Sequence, residues 1–222
     1  MFPGARIGTM TTILLVRHGR TAWNREERFR GQIDLPLDDW GLQQADLVGQ
    51  RIASQWQPAA IYASSLQRTL QTAAGIARAC NLHTTIHDGL LDIDYGAFAG
   101  LTPDEAASQY PDLARAWQRA PHMVLFPEGE SLAEVRERAE AALKEIAANH
   151  PDQTVVLVTH VVVCRLLLCA LLGLANSYFW GFQPDTASIT VFEFSDHRRV
   201  LLSFSDTCHL MTPSGRKQTE AY

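Results

Sequence analysis

Two histidines and two arginines carry the chemistry this 222-residue chain could perform. Arg17 and His18 follow the apolar run Ile13-Leu14-Leu15-Val16, and His160 follows a second such run, Val155–Val158, with Thr159 between. An imidazole titrates near neutrality and can act as nucleophile or proton carrier. A guanidinium is a fixed positive charge with a planar donor fork. Arg68 falls in the first turn of an expected helix, where the dipole disfavours a cation unless an anion sits nearby. Together the four describe an electropositive pocket for a phosphoryl group, whose transfer depends mainly on positioning and charge stabilisation. Arg17-His18-Gly19 taken alone would equally suit a strand end in solvent. Gly19 reads as room for a sharp turn or for the close approach of a ligand.

The elements that must position these residues are legible as alternating strands and helices. Both apolar runs have the composition of strands buried on two faces, as in a parallel sheet. Alternation then brings both strand ends, and so both histidines, to one carboxyl edge, where ligands bind in such folds. Leu42, Ala45, Val48 and Ile52 predict a core-facing helix over 39–55. A strand over 59–63 follows, and then a helix to Cys80 with Ser64-Ser65 as its N-cap. A third strand is expected near 83–87. Thr102-Pro103-Asp104-Glu105 and Ser131-x-x-Glu134 are capping boxes opening further helices. After a strand at 154–159, a helix runs from Val161 to Leu172 and stops at Gly173. Segments 188–194 and 200–204 read as a hairpin. The expectation is one domain over 1–222: a three-layer α/β/α architecture with a mostly parallel central sheet and a small helical cap at about 92–130. Residues 1–11 and 212–222 are expected to be flexible tails.

Composition narrows the function. A net charge of −5 argues against a general nucleic-acid or membrane-surface binder. Five arginines between Arg17 and Arg30 nevertheless make a local basic patch. The four cysteines form no C-x-x-C pair, which suits a reducing cytosol. No apolar run is long enough to cross a membrane. His83 and His87 offer no third metal ligand at a familiar spacing. Cys164 lacks the arginine six residues later that a cysteine phosphatase needs, since that residue is Ala170.

Five ordered blocks go further: LVRHGRTAWN, FRGQIDLPL with G-x2-QA, SSLQRTLQTA, PEGES and VLVTH. Through these, residues 13–194 resemble the histidine phosphatase superfamily, also called the phosphoglycerate-mutase-like family, in its phosphatase branch. The resemblance implies a cytoplasmic, cofactor-free and metal-free phosphomonoesterase. His18 would become a phosphohistidine, and Arg17, Arg68 and His160 would bind the phosphoryl oxygens. Asn24 and Gln32 would contact phosphate in the pocket wall, and Asp92 would donate the proton. Asp92 stands where the family usually has the longer glutamate. Arg20 replaces a frequent glutamate, adding positive charge at the rim, and Val161 replaces a small residue and could crowd the phosphate.

The implied partner is a small soluble phosphomonoester such as a phosphoglycerate, phosphoserine, a sugar phosphate or ribazole phosphate, with a homodimer left open. A cofactor-dependent phosphoglycerate mutase is the second reading. It is disfavoured because segment 92–130 carries seven acidic residues against Arg115 and Arg119. A catalytically idle phosphate-binding module is the reading from another class, supported only by Asp92 and Val161. Trp23, Phe29, Phe98, His122, Met123 and Phe126 are candidates for a partly apolar lid or for core.

Overall fold

In the computed structural model, which describes residues 9–195 and 197–211, a six-stranded sheet is assembled around the first apolar run. The strands are β1 (Thr11–Arg17), β2 (Pro58–Ala63), β3 (Thr84–Ile86), β4 (Thr154–Thr159), β5 (Ile189–Phe194) and β6 (Arg199–Asp206). Their order is β3-β2-β4-β1-β5-β6. The β3–β2, β2–β4 and β4–β1 pairs are parallel, while β5 runs antiparallel to both β1 and β6. This is the mostly parallel sheet expected, with the hairpin at one edge.

Central position explains the uninterrupted apolar run of β1. Ile13 and Leu15 pack into one core, with helices α6 (Leu132–Asn149) and α7 (Val161–Leu171). Leu14 and Val16 pack into the other, with α2 (Asp39–Gln55) and α3 (Gln67–Cys80). A strand covered on both faces needs apolar residues at every position. Each such side chain contributes about 1.5–3 kcal/mol on burial. The result is three layers. Between β3 and α6 lie the short helices α4 (Pro103–Gln109) and α5 (Pro111–Arg119), each opening on proline. Their residues Ala106, Ala114 and Trp117 belong to the same core as Ile13 and Leu15.

Several local expectations need correction. Thr11, assigned to the tail, opens β1 and is buried, its hydroxyl donating to His150 O at 2.9 Å. Residues 9–10 have no regular structure, although Met10 N donates to Asp152 Oδ1 at 3.0 Å, and the tail assignments over 1–8 and 212–222 lie outside the described residues. Leu42 is 44% exposed and faces away from the core. The face is set instead by Gly41, Gln44, Ala45, Val48, Gly49 and Ile52. A further helix, α1 (Ala22–Arg25), is only four residues long, too short for periodicity to reveal.

Candidate active site

The β1–β4 register pairs Arg17 with Thr159, so His18 and His160 emerge side by side at the carboxyl edge. Their ring centroids are 5.3 Å apart, and both residues are fully buried. His18 N donates to Thr159 O at 2.9 Å, extending the strand pairing by one residue. Gly19 does not take a left-handed turn. A Cβ there would sit 2.7 Å from Gly41 O, so its absence lets the start of α2 close against the loop.

Hydrogen bonding sets the state of each ring. His18 Nδ1 lies 2.7 Å from Gly19 O, and a carbonyl only accepts, so Nδ1 carries the proton. Nε2 then bears the lone pair, is buried and has no hydrogen-bond partner. Burial, followed by Arg68, Arg30, His160 and Arg17, holds the His18 pKa well below the ordinary histidine value. His160 is wired the other way. Arg68 Nε donates to its Nδ1 at 3.2 Å, and its Nε2 donates to Ser64 Oγ at 2.8 Å. The Thr69 hydroxyl donates to Leu66 O at 2.7 Å, so the Ser64 hydroxyl donates to Thr69 Oγ1 at 2.7 Å. Burial and then Arg68 also keep His160 neutral. Ser64 is therefore no helix cap; Leu66 occupies that position.

Arg68 is wholly buried at the start of α3. A buried cation is tolerated only when its donors are used, and here they are. Besides His160 it reaches Ile33 O at 2.9 Å, Gly31 O at 2.6 Å and Asp92 Oδ2 at 3.3 Å. Gly31 takes φ +50°, and a Cβ would meet Ile93 O at 2.7 Å, so glycine is required there. Arg17 donates from Nη1 to Pro184 O at 2.8 Å, while its buried Nε has no partner. Arg30 was passed over in the sequence except as part of the basic patch. Its Nε is likewise buried without a partner, and its Nη1 donates to Thr21 Oγ1 at 3.3 Å. Burial lowers Arg17 and Arg30 to about 10 each, still charged at neutral pH. The N-terminus of α7 follows His160 directly with no acidic side chain in its first turn, adding a favourable dipole for an anion.

Asp92 is buried beside this cluster, its Oδ2 lying 3.7 Å from His160 Nδ1. Burial raises its pKa, and the opposing pull of Arg68, Arg30 and the Ile93 N–H does not cancel that rise. Its backbone is clamped from α6. Arg138 donates to Leu91 O at 2.7 Å and to Asp92 O at 2.9 Å, and it is itself paired with Glu130 at 2.8 Å. Glu130 also accepts from Asp94 N at 2.9 Å. The PEGES block thus ends in a brace for the Asp92 loop, a role that no short-range spacing announces.

The other expected residues take varied places. Gln32 is exposed and donates to Asp92 O at 3.2 Å. Asn24 accepts from Thr21 N at 2.9 Å, in the α1 capping box. Arg20 adds little free charge at the rim, because it pairs with Asp38 at 2.7 Å, and Asp38 caps α2. Phe98 and Phe126 are core, whereas Met123 is exposed.

A cavity of about 370 Å³ opens here, lined by Arg30, Asp92, Tyr95, Val161, Arg165 and Trp180 among others. Its size suits a small metabolite. Val161 forms part of the cavity wall. A wider groove of about 700 Å³, lined by Arg136, Glu140 and Lys144 among others, contains none of the clustered catalytic candidates. Among the described residues no three His, Cys, Asp or Glu side chains are grouped to hold a metal ion. No helix among them is long and apolar enough to cross a membrane.

An unpaired imidazole nitrogen with guanidinium groups close by has the chemistry that phosphoryl transfer requires. Comparison with known proteins gives the family. The profile of the histidine phosphatase superfamily (branch 1) matches residues 13–207. Phosphoserine phosphatase 1 of Hydrogenobacter thermophilus is 40% identical over 201 residues, covering 90% of this chain and 95% of that protein. The solved structure of Bacillus stearothermophilus YhfR is similar with a TM-score of 0.85 at 32% identity, covering 90% of this chain and 98% of that one. A mutant phosphoserine phosphatase from Entamoeba histolytica, solved in complex with phosphoserine, gives a TM-score of 0.78 at 28% identity over 90% of this chain and 100% of its own. The chain belongs to the histidine phosphatase superfamily. It is a phosphoric monoester hydrolase whose chemistry runs through a phosphohistidine.

Proposed function

We propose that this enzyme hydrolyses O-phosphoserine or a phosphomonoester of similar size, with His18 as the nucleophile. The observation that carries the assignment is the buried, partnerless Nε2 of His18, left with its lone pair by the Nδ1–Gly19 bond. Nε2 attacks phosphorus in line as the ester oxygen leaves, forming the phosphohistidine. Arg17, Arg30 and Arg68 bind the equatorial oxygens, and His160 joins them by exchanging its Nε2–H bond to Ser64 for one to the phosphoryl group, with Asn24 and Gln32 at the margin of the pocket. Asp92, whose pKa burial raises, gives its proton to the departing alkoxide. In the second half-reaction Asp92 takes a proton from water, whose oxygen attacks phosphorus and releases His18.

Segment 92–130 acts as a cap that carries the acid over the sheet edge. Three guanidinium groups already supply the charge a divalent ion would bring, so the reaction needs none. The four free cysteines support a reducing cytoplasmic setting. The test is a screen of phosphorylated metabolites for released phosphate, repeated after exhaustive chelation. Phosphoserine is expected among the best substrates, with undiminished turnover in chelator. Loss of activity restored by a divalent ion would contradict the proposal.

A further inference from the structure

One cation in the cavity wall is not used by the phosphate chemistry. Arg165 lies one turn into α7, four residues after Val161, and both line the cavity that holds Asp92 and Arg30. Its Nε donates to Phe182 O at 2.7 Å. Its guanidinium stacks over the rings of Trp180 and Phe179, 4.8 and 5.0 Å from their centroids. These contacts hold one edge and the plane of the fork. Its two terminal nitrogens have no hydrogen-bond partner among the described residues, and no carboxylate there pairs with them.

Apart from Arg17 and Arg30 of the phosphate cradle, several arginines have a carboxylate partner. Arg68 has Asp92, Arg138 has Glu130, Arg136 has Glu140 and Arg20 has Asp38. A half-buried guanidinium cannot escape its charge by deprotonating, and leaving it unpaired is costly. The cost is recovered when a ligand brings the counter-charge. Phosphate does not need Arg165, since Arg17, Arg30 and Arg68 already surround His18. Arg165 shares its cavity with Arg30 and Asp92 of the phosphate site, so a second anionic group on the same small molecule can reach it. A carboxylate matches the planar fork, and the aromatic stack fixes the fork in advance.

We infer that Arg165 is a specificity-determining residue that binds the carboxylate of a small phosphorylated carboxylic acid while its phosphoryl group rests against His18. This inference rests on the phosphomonoesterase reading and states which phosphomonoesters the site prefers.

The test compares kcat/KM for O-phosphoserine and O-phosphoethanolamine, which lacks only the carboxylate, with p-nitrophenyl phosphate as reference. The natural chain is expected to prefer phosphoserine about ten- to a hundredfold, the scale of a charge-assisted hydrogen-bonded pair. Arg165→Met should shrink that ratio towards one, mainly by raising KM for phosphoserine, and Arg165→Lys should restore part of it. Equal losses on the two substrates would reduce Arg165 to a structural role and overturn the inference. So would a natural enzyme that cleaves p-nitrophenyl phosphate but treats both metabolites alike, although the phosphatase reading would then stand. Release from no phosphomonoester at all would remove both.

Discussion

His18 and His160 hang from the ends of paired strands, whereas Asp92 hangs from a loop with no strand beside it. The histidines inherit their positions from the β1–β4 register, which cannot slip by one residue without moving every apolar side chain to the wrong face. Asp92 is placed by side chains. Arg138 holds the Gly89, Leu91 and Asp92 carbonyls, Gln32 also holds that of Asp92, and Arg68 touches the carboxyl. An aromatic cluster supports the loop from the other side, with Tyr95 5.1 Å from Phe126 and 5.8 Å from Trp117. The contrast separates two kinds of failure. Damage to the strand-end cradle should slow every substrate, while damage to the Asp92 loop should matter in proportion to how badly the leaving group needs a proton.

Asp92→Asn gives the larger of the loop effects. It preserves shape but has no carboxyl proton, so alkyl phosphates should slow about a hundredfold, the scale of general acid catalysis. Because p-nitrophenolate departs unaided, p-nitrophenyl phosphate should slow much less. Equal losses on both would shift the acid role to Asp94 or Glu128. Arg138→Met keeps the Asp92 carboxyl group itself and removes only its brace. The same leaving-group pattern should follow, at about a tenfold loss on alkyl phosphates, reflecting a misplaced donor. A uniform loss would mean that the brace supports the whole fold rather than the acid.

The pH dependence of stability reads the cradle itself. Burial, then the arginines, depress His18 and His160, so the unfolded chain binds protons that the folded chain refuses as pH falls below about 6.5. Their contribution is therefore full above that pH and is lost on acidification, at up to about 1.4 kcal/mol per pH unit for each histidine. Asp92 has the opposite sign. Its raised pKa lets the folded state keep a proton that the unfolded state releases, offsetting part of the loss between its ordinary and raised values. His18→Asn should flatten the slope of urea-measured stability between pH 7 and pH 5. An unchanged slope would show that folding leaves the His18 pKa unshifted, contrary to its burial among the arginines.

How much of this was readable in the residues follows from the same contrast. Apolar runs and capping boxes report local physics, and they placed α2 and β4 at the observed bounds and opened α4 and α6 correctly. The strand-end logic also brought His18, His160, Arg17 and Arg68 together. What escaped depended on distant partners. Ser64 looked like a cap because Ser-Ser precedes a helix, yet its hydroxyl orients His160, which is 96 positions away. Arg30 differs from its arginine neighbours only in being folded inward, and Arg138 reaches the Asp92 loop across 46 residues of sequence. Leu42 misled because an apolar residue at helical spacing is also tolerated on the surface.

The central claim is that His18 Nε2 is the atom that takes the phosphoryl group. Rapid acid-free quenching of the enzyme during turnover of ³²P-labelled phosphoserine, followed by peptide mapping, measures it directly. The expected result is one acid-labile, base-stable label on His18, absent from His18→Ala, whose turnover should fall by several orders of magnitude on alkyl and aryl phosphates alike. Label on His160, or full activity in His18→Ala, would contradict the account.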